Sequence, residues 1–359
     1  VTITGQELNH YLRGKEYIGF EELYVYGTGN TACLYQEAFS RLGISLSGYI
    51  DSDPLKWGRD FLGLPIMGIE DLRIDSNSLI LICSARVKAV REIAAICEKN
   101  GKPYCTADEY IFSIHREELL AAYDSISGQV SRDIYAEIAY CRCIGAFPRE
   151  DLVSDNQYFS MSRFRSCSSN EVFIDVGAYV GDSIDAYIRN NAGVFKKVIA
   201  FEPDEINVNA IKHRMKRLMN EWNLSESQFE ICRMGVSDVD DIMLVERKGD
   251  SNGLSSRMIS DITGDQMADE CRVISIDSYV QDRYDFLKAD IEGYEIKMLN
   301  GARQSISKYS PKLAICIYHN PADYFQIPLL IKSIEPNYKL EVRHYSCDML
   351  ETVLYAYMD

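Results

Sequence analysis

The chain has 359 residues, 38 Lys and Arg against 54 Asp and Glu, and a formal net charge of −16. That negative surplus excludes nucleic acid as an expected partner, because its phosphates would be repelled, while 47% hydrophobic residues and this length suit two domains with buried cores. No apolar run approaches a membrane span, and the N-terminal stretch lacks a basic flank followed by an apolar core, so a cytoplasmic chain with no membrane span is expected.

In chain order, residues 1–20 predict a short helical lead-in. Leu23-Tyr24-Val25-Tyr26 predicts a strand ending in Gly27-Thr28-Gly29-Asn30-Thr31-Ala32, and an amphipathic helix runs on to Leu42. Tyr49-Ile50 leads into Asp51, so Gly-x-Gly-x-x-Ala is followed by an acid at a strand end, close to the dinucleotide pattern. A short strand is predicted over 64–68, a buried parallel strand over 78–83 and a helix over 87–100. This first domain, residues 1–112, is similar to the small Rossmann-like domain that precedes some sugar-modifying transferases, in which Tyr-Gly-x-Gly-Asn opens the fold and Tyr-Ile-Asp-x-Asp closes its second strand. The resemblance implies either a nucleotide-sugar site or a brace for its neighbour. From 113 to 165 the periodicity predicts a helical connector, with 156–159 as an alternative substrate lid. Eleven cysteines without Cys-x-x-Cys pairs or zinc spacing predict reduced thiols and no metal site.

The second domain, 166–359, opens on the most informative stretch. An apolar strand, Val172 to Val176, carries Asp175 and runs into Gly177-Ala178-Tyr179-Val180-Gly181-Asp182-Ser183. A helix and a second strand follow, ending at Glu202. Gly-x-x-x-Gly-Asp in place of Gly-x-Gly-x-x-Gly makes a wider, more acidic loop, suited to a cationic, phosphate-free ligand. That chemistry points to S-adenosylmethionine. Asp204 and Asn207 open the next helix, a third strand covers 229–232, and short strands at 242–246 and 273–276 flank a polar loop, 251–256, expected to be mobile. A fourth strand ends at Asp290, with Glu292 beyond it, and a fifth covers 312–318 and precedes His319. A helix over 322–334 leads to two final strands, 338–345 and 351–357, whose short link requires antiparallel pairing. A parallel sheet ending in an antiparallel pair is the class I methyltransferase plan.

Over about residues 130–359 the sequence resembles the FkbM-family methyltransferases. The resemblance rests on Phe-Ile-Asp175-Val-Gly177-Ala-Tyr-Val-Gly181-Asp182-Ser183, Phe201-Glu202-Pro203-Asp204, Leu287-Lys288-Ala-Asp290-Ile-Glu292-Gly293-Tyr-Glu295, Gly301-Ala302 and Arg343-His344-Tyr345-Ser346. Tyr179 stands where many members carry Asn, and Tyr294 where a small residue is usual; both are expected to line the pocket. The expected fold is therefore a Rossmann-like methyltransferase sheet, parallel with a C-terminal antiparallel strand pair, preceded by a smaller Rossmann-like α/β domain.

The residues themselves suggest roles. Asp175 or Asp182 would answer the methionine ammonium, directly or through water, the Gly177–Gly181 loop with Tyr179 and Ser183 would hold that moiety, Glu202 would take both ribose hydroxyls, and Asp204 is a further cofactor-binding candidate. Met234, Gly235, Val236 and Ser237 would lie at the adenine. Asp290, His319 and Glu292 are the candidates for the proton acceptor. The expected reaction is O-methylation of a saccharide or other polyhydroxylated small molecule, with a nucleotide-sugar as another possible acceptor and a homo-oligomer left open. The alternative is an NAD- or nucleotide-sugar-binding enzyme using the Gly27-to-Asp51 site.

Overall fold

Short buried apolar runs, each followed by an amphipathic stretch, build two separate α/β sheets in the computed structural model. It describes residues 3–15, 17, 19–72, 77–84, 86–250, 253–259 and 268–359. The chain divides into two units: Val1–Val153 with Ile317–Leu329 and Glu341–Thr352, and Ser154–Cys316 with Leu330–Leu340 and Val353–Asp359.

In the first unit, α1 (Gly5–Arg13) is closed by a capping box between Thr4 and Glu7. There follow β1 (Glu22–Tyr26), α2 (Asn30–Arg41), β2 (Gly48–Ile50), β3 (Asp60–Phe61), β4 (Leu64–Met67), β5 (Ser78–Ile82), α3 (Val87–Lys99) and β6 (Tyr104–Thr106). The sheet order is β3-β4-β2-β1-β5-β6, parallel except for the small β3–β4 hairpin. Neither that hairpin's first strand nor β6 is apparent in the sequence, because runs of two and three residues are too short to show a period. Three helices complete this part, α4 (Ala107–Ile114), α5 (Arg116–Ser125) and α6 (Gln129–Ile144), the last ended by left-handed Gly145.

These helices group with the first unit; α5 and α6 stand on either side of the predicted Gly128 break, and short 3₁₀ turns lie between Gly145 and the next strand. Residues 317–329 and 341–352 also group with the first unit, so the division is not the simple sequential one.

The second unit is built on β7 (Val172–Val176), α7 (Asp182–Asn190), β8 (Lys197–Phe201), α8 (Glu205–Trp222) and β9 (Phe229–Cys232). A small sheet in the order β10-β13-β11-β12 follows from β10 (Gly235–Val236), β11 (Asp241–Asp250), β12 (Gly253–Ile259) and β13 (Ala268–Ile274). The expected loop at 251–256 is thus partly strand: residues 253–259 pair antiparallel with β11, while 251 and 252 lie outside the described residues. Then come α9 (Ile276–Tyr279), β14 (Phe286–Ala289), α10 (Glu295–Gly301), α11 (Arg303–Tyr309), β15 (Lys312–Cys316), α12 (Asp323–Ile334), β16 (Lys339–His344) and β17 (Thr352–Tyr357).

The large sheet runs β16-β17-β15-β14-β7-β8-β9. Strands β15, β14, β7, β8 and β9 are parallel, and β17 pairs antiparallel with β15. All five residues of β7 are buried, as a central parallel strand covered on both faces requires. Phe173 stacks on Tyr187 at 4.4 Å and lies 4.8 Å from Phe286, which also meets Phe159 and Phe164. This aromatic core sets the register that brings Val176 level with Phe201 on one side and Ala289 on the other. Among the described residues no helix is long and apolar enough to cross a membrane, and none of the eleven cysteines is in a disulfide.

Candidate functional site

That register puts three strand ends side by side: Val176 runs into Gly177, Phe201 into Glu202 and Ala289 into Asp290. The backbone of the glycine loop locks them together. Gly177 and Ala178 donate their N–H groups to the Phe201 carbonyl at 3.0 and 3.1 Å, and the Asp290 N–H donates to Val176 at 3.1 Å. At Gly177 (φ 76°) a Cβ would stand 1.9 Å from the Asp290 carbonyl oxygen, so only glycine fits. Gly181, at φ 78°, turns the chain into α7.

Glu202 is 4% exposed and already held as an acceptor. It takes the Tyr179 N–H at 2.9 Å, the Asp204 N–H at 3.0 Å and the Asn207 side-chain amide at 3.3 Å. Burial outweighs these bonds and pushes its pKa up to about 7. Tyr179 presents that N–H from a left-handed backbone (φ 46°) with its side chain 41% exposed. Asp204 caps α8, accepting from Ile206 at 2.7 Å, and is 2% exposed.

The two acids expected at the ammonium separate clearly. Asp175 is fully buried, 3.0 Å from the Lys288 ammonium and accepting from the Ser183 hydroxyl. Ser183 is therefore also engaged inward, toward Asp175. Asp182 is exposed in the first turn of α7, where an acid suits the helix dipole. Gly235 and Val236 form buried strand β10, and Ser237 is 2% exposed; of the four residues expected at the adenine, only Met234 is half-exposed. Tyr294 is 5% exposed and packs on Val273.

Asp290 is half-buried and accepts the Tyr158 hydroxyl on Oδ2 at 2.8 Å. Glu292, also half-buried, sits in a left-handed turn (φ 55°) before Gly293. His319 lies past the end of β15, 8% exposed, with its ring 4.1 Å from that of Tyr318. It groups with the first unit, whereas Asp290 and Glu292 belong to the second.

Two participants escaped the sequence reading. Lys288 is 3% exposed and donates to the Gly177 carbonyl at 2.8 Å; burial opposes its charge, but Asp175 and Asp290 overcome that and raise its pKa above the ordinary lysine value. A lone cation inside the apolar run Phe286-Leu287-Lys288-Ala289 is the signal that marks it. Tyr158 is 7% exposed and carried only the alternative lid reading.

The acid beyond the glycine loop of the first unit is engaged by that unit's own residues. Asp51 accepts from the Thr28 hydroxyl at 2.5 Å, the Lys56 ammonium at 2.8 Å and the Asp53 N–H at 2.9 Å, and the Trp57 indole donates to its carbonyl. The acid that a dinucleotide ribose would need is thus engaged internally.

Residues 175–348 match the model of the methyltransferase FkbM domain. Among solved structures, the chain is similar to methyltransferase FkbM from Methylobacillus flagellatus, at 22% identity and a TM-score of 0.57, covering 94% of this chain and 90% of that one. An rRNA methylase from Streptococcus thermophilus matches at 14% identity and TM-score 0.33, over 54% and 89% of the two chains. A SAM-dependent methyltransferase from Aquifex aeolicus matches at 13% and 0.31, over 57% and 92%. No curated protein sequence matches the chain. The matched residues, 175–348, hold β8, β14 and β15 of the large sheet, and the Methylobacillus flagellatus structure shares the fold.

Proposed function

We propose that the protein is an S-adenosylmethionine-dependent O-methyltransferase acting on a saccharide or similar polyhydroxylated small molecule. The observation that carries the cofactor reading is the junction of the Gly177–Gly181 loop with Glu202, tied by the Tyr179 N–H. A carboxylate presented at one strand end beside a glycine cradle at the next fits ribose hydroxyls and a close ligand backbone. Exposed Asp182 supplies a negative charge for the ammonium. When bound, S-adenosylmethionine supplies a methyl group already activated by its sulfonium.

The residues then have three tasks. The loop and Glu202 orient the cofactor, and orientation itself is worth roughly 7–11 kcal/mol at best in such displacements. Asp290, at the end of β14, offers a carboxylate to the positive centre and to the acceptor proton. Held by the loop and Glu202, the cofactor would supply its methyl group to an acceptor oxygen, and the hydroxyl proton would pass to a base on this chain. Asp290, Glu292 and His319 are the three residues assigned to that base. The saccharide assignment is supported by the N-terminal resemblance and by the chain's negative charge, which disfavours phosphate-rich acceptors.

Calorimetric titration tests the cofactor. S-adenosylmethionine and S-adenosylhomocysteine are expected to bind and NAD not to bind, and Glu202→Gln to weaken both adenosyl ligands at least tenfold. Binding of NAD alone would overturn the reading. Transfer of labelled methyl from the cofactor to a panel of sugars, amines and thiols tests the acceptor; label on nitrogen or sulfur would replace the oxygen assignment.

A further inference from the structure

Early in the segment between residue 153 and β7, Asn156 (φ 61°) and Tyr158 (φ 67°) are non-glycine residues in left-handed conformation. Such backbone costs of order 1–3 kcal/mol per residue and persists only where the surroundings impose it. They do so here. Phe159 is fully buried, 6.1 Å from both Tyr187 and Phe286, and its N–H donates to the Asn156 carbonyl at 2.9 Å. The Asn156 and Asn190 side-chain amides bond reciprocally at 2.8 and 3.2 Å. Between these two anchors the Tyr158 side chain is pinned over the end of β14. Its hydroxyl donates to Asp290 Oδ2 at 2.8 Å and lies 3.6 Å from the Cys316 sulfur, and the Lys288 ammonium stands 5.2 Å from its ring centroid.

We propose that Tyr158 is a positioning residue of the transfer site, which holds the Asp290 carboxylate in its charged form and fixed orientation toward the bound sulfonium. The inference rests on the reading of Asp290 as the carboxylate beside that centre. A phenol donating to a carboxylate favours the ionised acid and fixes its plane. Neighbouring Lys288 is committed to Asp175 and Gly177, so its charge supports the anionic pair without displacing the phenol. The competing account is a core tyrosine that merely satisfies its hydroxyl. It predicts a change in stability and none in ligand discrimination.

S-adenosylmethionine carries a positive sulfonium where S-adenosylhomocysteine carries a neutral thioether, so the ratio of their dissociation constants reads the Asp290 charge without any acceptor. Both ligands would be titrated calorimetrically into the full-length parent, Tyr158→Phe, Asp290→Asn and the double variant. The Phe substitution keeps the ring that fills the site, which protects the fold. We expect Asp290→Asn to lower the preference for S-adenosylmethionine about tenfold and Tyr158→Phe to lower it about threefold or more. The homocysteine product should bind Tyr158→Phe within twofold of the parent, and the double variant should match Asp290→Asn. A preference altered in Asp290→Asn but unchanged in Tyr158→Phe, or effects that simply add in the double variant, overturn the positioning role. An unchanged preference in Asp290→Asn instead overturns the assignment of Asp290, and a parent that binds neither ligand overturns the proposed function.

Discussion

Glu202 shows how one residue can serve the ligand at the expense of the fold. Its pKa near 7, raised by burial, means that the free protein holds a proton there that the unfolded chain has lost above about pH 4.5. The sign follows directly: the favourable contribution is complete below pH 4.5 and is lost as pH rises through 7, a cost on the order of 3 kcal/mol at higher pH. Ribose hydroxyls need the ionised acceptor, so binding has the opposite dependence. Affinity for S-adenosylhomocysteine should be flat above pH 8 and weaken by up to about tenfold per unit below 7. Glu202→Gln should abolish that dependence and raise the melting temperature at pH 8; titrations from pH 5.5 to 8.5 check both. Tyr179 carries a second local cost. A left-handed L-residue is disfavoured by roughly 1–2 kcal/mol, and Asn tolerates that conformation far better. With the Tyr179 side chain 41% exposed, little packing is lost, so Tyr179→Asn should stabilise by up to about 1 kcal/mol, read as a rise of a few degrees in the melting temperature.

At the level of elements, the junction of β7, β8 and β14 depends on closeness of backbone. The Gly177 turn places one strand's end against the Asp290 carbonyl while donating to the Phe201 carbonyl, so it clamps both neighbours at once. Gly177→Ala forces a Cβ into a 1.9 Å contact in a conformation unfavourable for alanine. The two strand ends must separate, at a cost on the order of 3 kcal/mol or more. A lower denaturation midpoint together with loss of S-adenosylhomocysteine binding is expected; a variant that melts and binds like the parent would show that the loop has room to shift. The Lys288–Asp175 pair reinforces the same junction, with one partner from β14 and the other from β7.

At the scale of the whole chain, the late segments of sequence complete the first unit. Arg41 in α2 bonds the fully buried Asp323 at 3.0 Å, and Met349 packs with Ile82, Val87 and Val90. Arg142, 2% exposed, pairs with Asp108 and donates to the carbonyls of Tyr318 and Met349 at 3.3 and 3.4 Å. A fragment starting at residue 113 keeps the cofactor residues yet removes Arg41, Asp108 and the α3 surface from these segments. It should be poorly soluble and lack a cooperative melt. Arg41→Met in the full chain should destabilise by about 3–5 kcal/mol, the usual consequence of stripping a buried acid of its cation. A soluble fragment with a sharp transition would show instead that the second sheet stands alone.

Local patterns were enough to mark the strand–glycine loop–helix–strand unit at 172–202 and the alternation of strands and helices in both units, because each depends on residues near one another in sequence, whereas the pairing of β7 with β14 and of β15 with β17 does not. Apolar runs announce buried parallel strands, glycines announce left-handed turns, and a strand-end acid announces a carboxylate at the sheet's rim. What those patterns could not contain is which polar groups find one another. Asp175 and Asp182 look equally suited to a ligand in the sequence, yet the pairing of β7 with β14 brings Lys288 to Asp175 and buries both, while Asp182 remains in solvent. Tyr158 reads as part of a helical connector or a substrate lid, and only the seating of Phe159 in the aromatic core delivers its hydroxyl to Asp290, 132 positions away. The division into units likewise depends on contacts between segments separated by hundreds of residues. Periodicity carries the address of a side chain's face, but its partner is chosen by strand order and core packing, which only the folded chain decides.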